Sequence, residues 1–139
     1  MSLMPKRIRW RKQQRGQIRG IATRGHSLAF GEYGVQSLDR AWITAAQIEA
    51  ARVAATRAIG PSGRLYIRIF PHKSVSAKPE ETRMGTGKGE PAYWVATVRP
   101  GTVLFEVGSV PADVARRAMN RISHKLPVKV KMLTRRHGL

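Results

Sequence analysis

The chain has 139 residues, 42% of them hydrophobic, and carries 26 Lys and Arg against 8 Asp and Glu, a net charge of +18. That length suits a single domain able to bury roughly 68–70% of the surface its unfolded chain exposes. The absence of cysteine excludes disulfides and thiolate metal sites, and the apolar runs are far too short to span a bilayer.

The charge is uneven: +8 over residues 1–24, +2 over 25–115 and +8 over 116–139. A near-neutral body with two cationic ends calls for a polyanion, because such ends repel until neutralised. Eighteen of the cations are Arg, whose planar fork suits bidentate phosphate contacts and stacking on bases. Nucleic acid is favoured over an anionic membrane, since no basic stretch has the Trp/Phe/Leu face of an interfacial helix.

From the N-terminus, "MPKRIRWRKQQRGQIRGIATRG" has no sustained period and reads as an arm over residues 1–25 that orders on a polyanion. Its composition is shared with organelle transit peptides, but their amphipathic face is missing. Trp10, between Arg9 and Arg11, is placed either to stack on a base or to pack on the body. "LAFGEYGVQSL", residues 28–38, alternates as a β segment interrupted by glycine. Thr44 and Gln47 then form a T-x-x-Q capping box, which predicts a helix over 45–59. Ile48, Ala51, Ala55 and Ile59 are its buried stripe, and Arg52 and Arg57 project elsewhere.

"RLYIRIF", residues 64–70, predicts a strand with Leu65, Ile67 and Ile69 on one face and Tyr66, Arg68 and Phe70 on the other. Residues 71–91 read as an extended functional loop, long for a compact domain. "AYWVATV" and "VLFEV" read as a hairpin across Pro100-Gly101. The last helix opens at Pro111, with Val114, Ala118 and Ile122 and the adjacent Met119 as core. Arg117, Arg121 and Lys125 make a basic stripe at spacing four. Pro127 ends the helix, and a basic strand and tail complete residues 126–139. The whole is α+β: one compact domain, a mixed or antiparallel sheet and two main helices.

The segment "RMGTGKGEP" raises the question of a nucleotide pocket. Thr82 stands where the phosphate loop of NTPases needs glycine, Gly89 where it needs Ser or Thr, and Glu90 breaks the dinucleotide fingerprint. Both motifs also require a helix to follow, whereas Pro91 leads into a strand. His26, His72, His124 and His137 have no chelating spacing. Glu80 and Glu81 are adjacent and need not converge. No cofactor, metal or catalytic group is expected. Gly85, Gly87 and Gly89, free of bulk, together with Arg83 and Lys88, suit close approach to a nucleic-acid backbone instead.

Several stretches, in order, resemble the bacterial-type ribosomal protein sixteen of the large subunit: "FGEYGVQSL", "ITAAQIEAAR", "IRIFPHK", "KPEETRMGTGKGEPAYWVA" and "HKLPVK". The resemblance covers residues 4–133. It implies a hammerhead-type α+β fold and a structural, non-catalytic component of the large subunit. The partners implied are large-subunit rRNA, neighbouring ribosomal proteins and A-site tRNA near the peptidyl-transferase region, with P-site tRNA a secondary candidate. By that analogy Arg83, Met84, Gly85, Gly87, Lys88 and Gly89 reach the functional centre. The rRNA contacts fall to Lys6, Arg7, Arg9, Arg11, Lys12, Arg15, Arg19 and Arg24 on the arm, and to Arg52, Arg57, Arg117, Arg121 and Lys125 on the helices. A cytoplasmic ribosome is favoured over an organellar one. Ala46, Val53 and Thr86 stand where the family commonly has cations, and His72 where it has Asp. A free nucleic-acid regulator is the alternative, but it would need a recognition helix or a dimer seam, and the sequence offers neither.

Overall fold

Thr44 terminates one extended segment and starts the first helix. Its Oγ1 accepts from the Gln47 backbone N–H at 3.2 Å, and the Gln47 side chain accepts from the Thr44 N–H at 2.9 Å. Two N–H groups that a helix start leaves orphaned are thereby satisfied. Helix α1 (Ala45–Ile59) buries Ile48, Ala51, Ala55 and Ile59, the stripe its spacing predicts. Thr44→Ala removes the cap, and thermal unfolding should show a loss of about 1 kcal/mol; an unchanged midpoint would mean that packing alone starts α1.

The computed structural model describes residues 4–76, 87–89 and 91–135. Around α1 stand strands β1 (Tyr33–Ser37), β2 (Ala41–Thr44), β3 (Arg64–Ile67), β4 (Lys73–Ser76), β5 (Pro91–Val98), β6 (Val103–Gly108) and β7 (Val130–Thr134), with helix α2 (Ala112–Lys125) between β6 and β7. They form two sheets, ordered β3-β6-β1-β7 and β2-β5-β4, and every pairing is antiparallel. The helices pack on each other and cover a core drawn from both sheets, including Ile43, Ala96 and Val98 from one and Val35, Leu104, Phe105 and Val107 from the other.

The expected hairpin is not one. The turn chemistry holds: the Thr102 N–H donates to the Arg99 carbonyl at 3.1 Å, and Gly101 has φ +98°, open to glycine at little cost. Yet β5 lies between β2 and β4, while β6 lies between β3 and β1. The turn hands the chain from one sheet to the other and is stitched to the end of β1, where the Ser37 N–H donates to the Thr102 carbonyl at 2.9 Å and the Ser37 carbonyl accepts from the Gly101 N–H at 2.8 Å.

Other boundaries also shift. The segment expected as loop from 71 contains β4, and β1 and β3 are shorter than the alternating runs around them. Pro111 caps α2 from outside, with extended backbone at ψ 160°, and Ala115 joins Ala118, Met119 and Ile122 in the buried face while Val114 is half-buried. In β6 the register with β1 slips, Val35 facing Phe105 and Gln36 facing Val103. The extra residue is Leu104, and the bulge allows Leu104 and Phe105, neighbours in sequence, both to enter the core.

Candidate nucleic-acid interface

The arm runs over the body without helix or strand from residue 4 to 32. It is attached chiefly through its own backbone carbonyls. Lys73 Nζ donates to the Arg15 carbonyl, Ser74 Oγ to that of Arg11 and Lys88 Nζ to that of Gln13. Farther along, the Arg40 guanidinium donates to the Gly20 carbonyl at 3.3 Å, and the Val103 N–H to the Gly25 carbonyl at 2.8 Å. In return Lys12 Nζ donates to the Lys88 carbonyl at 3.0 Å and Gln13 Nε2 to the His72 carbonyl at 3.3 Å. Each polar main-chain group so used needs no secondary structure to satisfy it.

This mode of attachment leaves side chains outside. Lys6, Arg7, Arg9, Arg11, Lys12, Arg15, Arg19 and Arg24 are all exposed. So is Trp10, at 68%, which therefore does not pack into the body; the Arg9 guanidinium lies 5.4 Å from its ring centroid. Arg24 lines a polar hollow of about 700 Å³ together with Lys73, Arg99, Thr97 and Thr102. Lys73 also sits 5.0 Å over the Trp42 ring, a favourable cation–π distance.

On the helices the predicted cations divide. Arg57, Arg117, Arg121 and Lys125 are exposed, the last three spread over about 12 Å of α2 at 1.5 Å per residue. Arg117 has Asp113 at 3.9 Å, a pair open to water and weak. Arg52 is engaged more closely by Glu49, at 2.5 Å. That hydrogen bond raises the Arg52 pKa and lowers that of Glu49, so Arg52 reaches a phosphate only in competition with its own carboxylate. Arg57 and Lys125 line a second hollow, of about 890 Å³, whose other walls include Ala46, Ala50, Val53, Tyr93 and Trp94.

Of the glycine-rich segment, Arg83, Met84 and Gly85 lie outside the described residues, as does Thr86. Gly87 and Lys88 are exposed and Gly89 is half-buried. The Lys88 ammonium is directed onto the arm. Sequence reasoning missed Lys73, Ser74 and Arg40 as anchors of the arm, because the groups they bind are carbonyls that every residue possesses. It also missed Glu106. This carboxylate is fully buried and accepts through Oε1 from the N–H groups of Ala29, Phe30 and Gly31 at 2.9–3.0 Å, and through Oε2 from Arg68 at 2.5 Å. A lone acid within "VLFEV" was the available signal.

The fold and its charge placement define a class: a small α+β protein with a near-neutral core and its cations on an arm and along helix surfaces. The chain belongs to the ribosomal protein L16p/L10e family, whose model matches residues 5–133. That family is one of structural ribosomal proteins, not of enzymes. The chain is 56% identical over 133 residues to the large ribosomal subunit protein uL16 of Heliobacterium modesticaldum, covering 96% of this chain and 92% of that one. It is also 56% identical over 135 residues to the protein of the same name from Methylacidiphilum infernorum, covering 97% and 94%.

Proposed function

We propose that this protein is a structural constituent of the large ribosomal subunit that binds large-subunit rRNA through its arm and its basic helix surfaces. The observation that carries the reading is the arm's attachment by backbone carbonyls, which leaves Lys6, Arg7, Arg9, Arg15, Arg19 and Arg24 exposed. An Arg-rich strap so held can lie between body and RNA, one side bonded to each. Arg57, Arg121 and Lys125 add phosphate contacts, and Arg52 and Arg117 weaker ones. The segment containing Arg83, Met84, Gly85, Gly87, Lys88 and Gly89 contacts A-site tRNA near the peptidyl-transferase region. The site of action is the cytoplasmic ribosome.

Sedimentation of a native lysate with subunits dissociated in low magnesium tests this directly. Near-stoichiometric recovery with the large subunit is the expected outcome. A protein that stays at the top of the gradient, or spreads over bulk nucleic acid, would be a free binder with a ribosomal ancestor.

A further inference from the structure

In the sheet β3-β6-β1-β7, Leu65 pairs with Val107 and Ile67 with Phe105, both core residues of β6. Alternation sends Arg64 and Tyr66 to the opposite face, where Tyr66 pairs with Glu106 and Arg64 with Gly108. Arg68 follows on that side, its guanidinium on Glu106. Across this Arg-Tyr-Arg row lies Phe30. Its ring stacks on Tyr66 with centroids 5.5 Å apart and planes at 24°, and the Arg68 guanidinium is 5.5 Å from its centroid. Phe30 is nevertheless 63% exposed.

The ring is held, not loose. Glu106 binds the Phe30 N–H at 3.0 Å with one carboxylate oxygen and Arg68 at 2.5 Å with the other, so one buried group positions both. The next residue lies so close to β6 that a Cβ on Gly31 would meet the Val107 carbonyl oxygen at 2.7 Å; only glycine lets Phe30 be carried there.

We propose that Phe30 and Tyr66, flanked by Arg64 and Arg68, form a stacking platform for one unpaired RNA base. The inference rests on the rRNA-binding reading and adds a site outside the residues assigned there. An aromatic face accepts any base; Arg64, exposed at the start of β3, supplies a cation for a flanking phosphate, while Arg68, paired with the buried Glu106, braces the Phe30 ring. Pre-positioning of the ring lowers the ordering cost of binding. A flat apolar protein surface fits less well, because closing over Phe30 would desolvate the exposed Arg64 without supplying it with a phosphate.

The test uses the full-length protein and two RNA hairpins, one carrying a single bulged 2-aminopurine and the other fully paired. The wild type should quench the 2-aminopurine fluorescence and bind the bulged hairpin about 5- to 150-fold more tightly, the range one stacked base supplies. Phe30→Leu, at an exposed position, should abolish the quench and the preference while keeping the affinity for the paired hairpin and the circular dichroism spectrum. Arg64→Gln should reduce the preference and leave the quench. Equal wild-type affinity for both hairpins, or a Phe30→Leu variant that keeps both signals, overturns the platform alone. A wild type that binds neither RNA overturns the rRNA reading with it. Loss of a neighbouring protein from Phe30→Leu subunits with RNA binding intact assigns the surface to protein and overturns the platform as well.

Discussion

Arg68→Ala should lower the unfolding free energy by about 3–5 kcal/mol at neutral pH, the usual cost of stranding one partner of a buried pair. The Glu106 side chain is fully buried and that of Arg68 only 18% exposed, so little water is available to take over from the guanidinium. Burial pushes the Glu106 pKa up, but Arg68 and the three N–H groups more than offset it and hold the carboxyl below its ordinary value of 4.5. A depressed folded-state pKa gives stability that is present above the unfolded value and lost as pH falls through the folded one. Wild-type stability should therefore decline as pH drops below 4.5, and its advantage over Arg68→Ala should narrow. Urea unfolding at about pH 7 and about pH 3 measures both. A neutral-pH loss below about 1 kcal/mol would mean that the pair behaves as a solvated surface bridge.

Affinity for large-subunit rRNA should fall by roughly 10³–10⁵ between about 50 and 200 mM salt, as expected when about six to ten phosphates are neutralised. The arm and α2 hold enough exposed cations for this. The count is not the full 26, because Arg52 and Arg68 are engaged by Glu49 and Glu106 and would release no counterions in proportion to their charge. Filter binding over a salt series gives the slope. Replacing Arg7, Arg9, Arg15 and Arg19 together by Gln should flatten it by about three to four units. A flat wild-type response would remove the electrostatic basis of the interface.

How much of this was legible depends on how local each signal is. Helix α1 was readable to the residue because its cap is a four-residue motif and its buried stripe repeats within one helix. The turn at Pro100-Gly101 was equally readable, but not what it joins. Pairing β5 with β2 and β4 rather than with β6 is decided by the distant core under both helices, and nothing within ten residues encodes it. Strand β4 was hidden for a related reason: "KSVS" is short and polar, and its buried Ser74 is satisfied by the Arg11 carbonyl, 63 residues upstream. The cations of the candidate interface stand out by charge alone. Their division into exposed and engaged does not, since it turns on Glu49 and Glu106 having reached particular arginines. Strand β6 was read from "VLFEV", but its bulge at Leu104 was not, since strict alternation would have put one of two consecutive apolar residues outside.

The carbonyl attachments of the arm make it a splint as well as a strap. Residues 11–15 are bonded both to His72, Lys73 and Ser74 and to Lys88, tying together two stretches that are 12 or more residues apart in the chain. Truncating the arm at residue 16 therefore removes charge and bracing in one stroke. A translation defect in such a truncation would conflate the loss of charge with the loss of bracing. Charge-neutral replacements that keep the backbone, the arginine-to-glutamine set above, separate the two: they silence the strap and leave the splint in place.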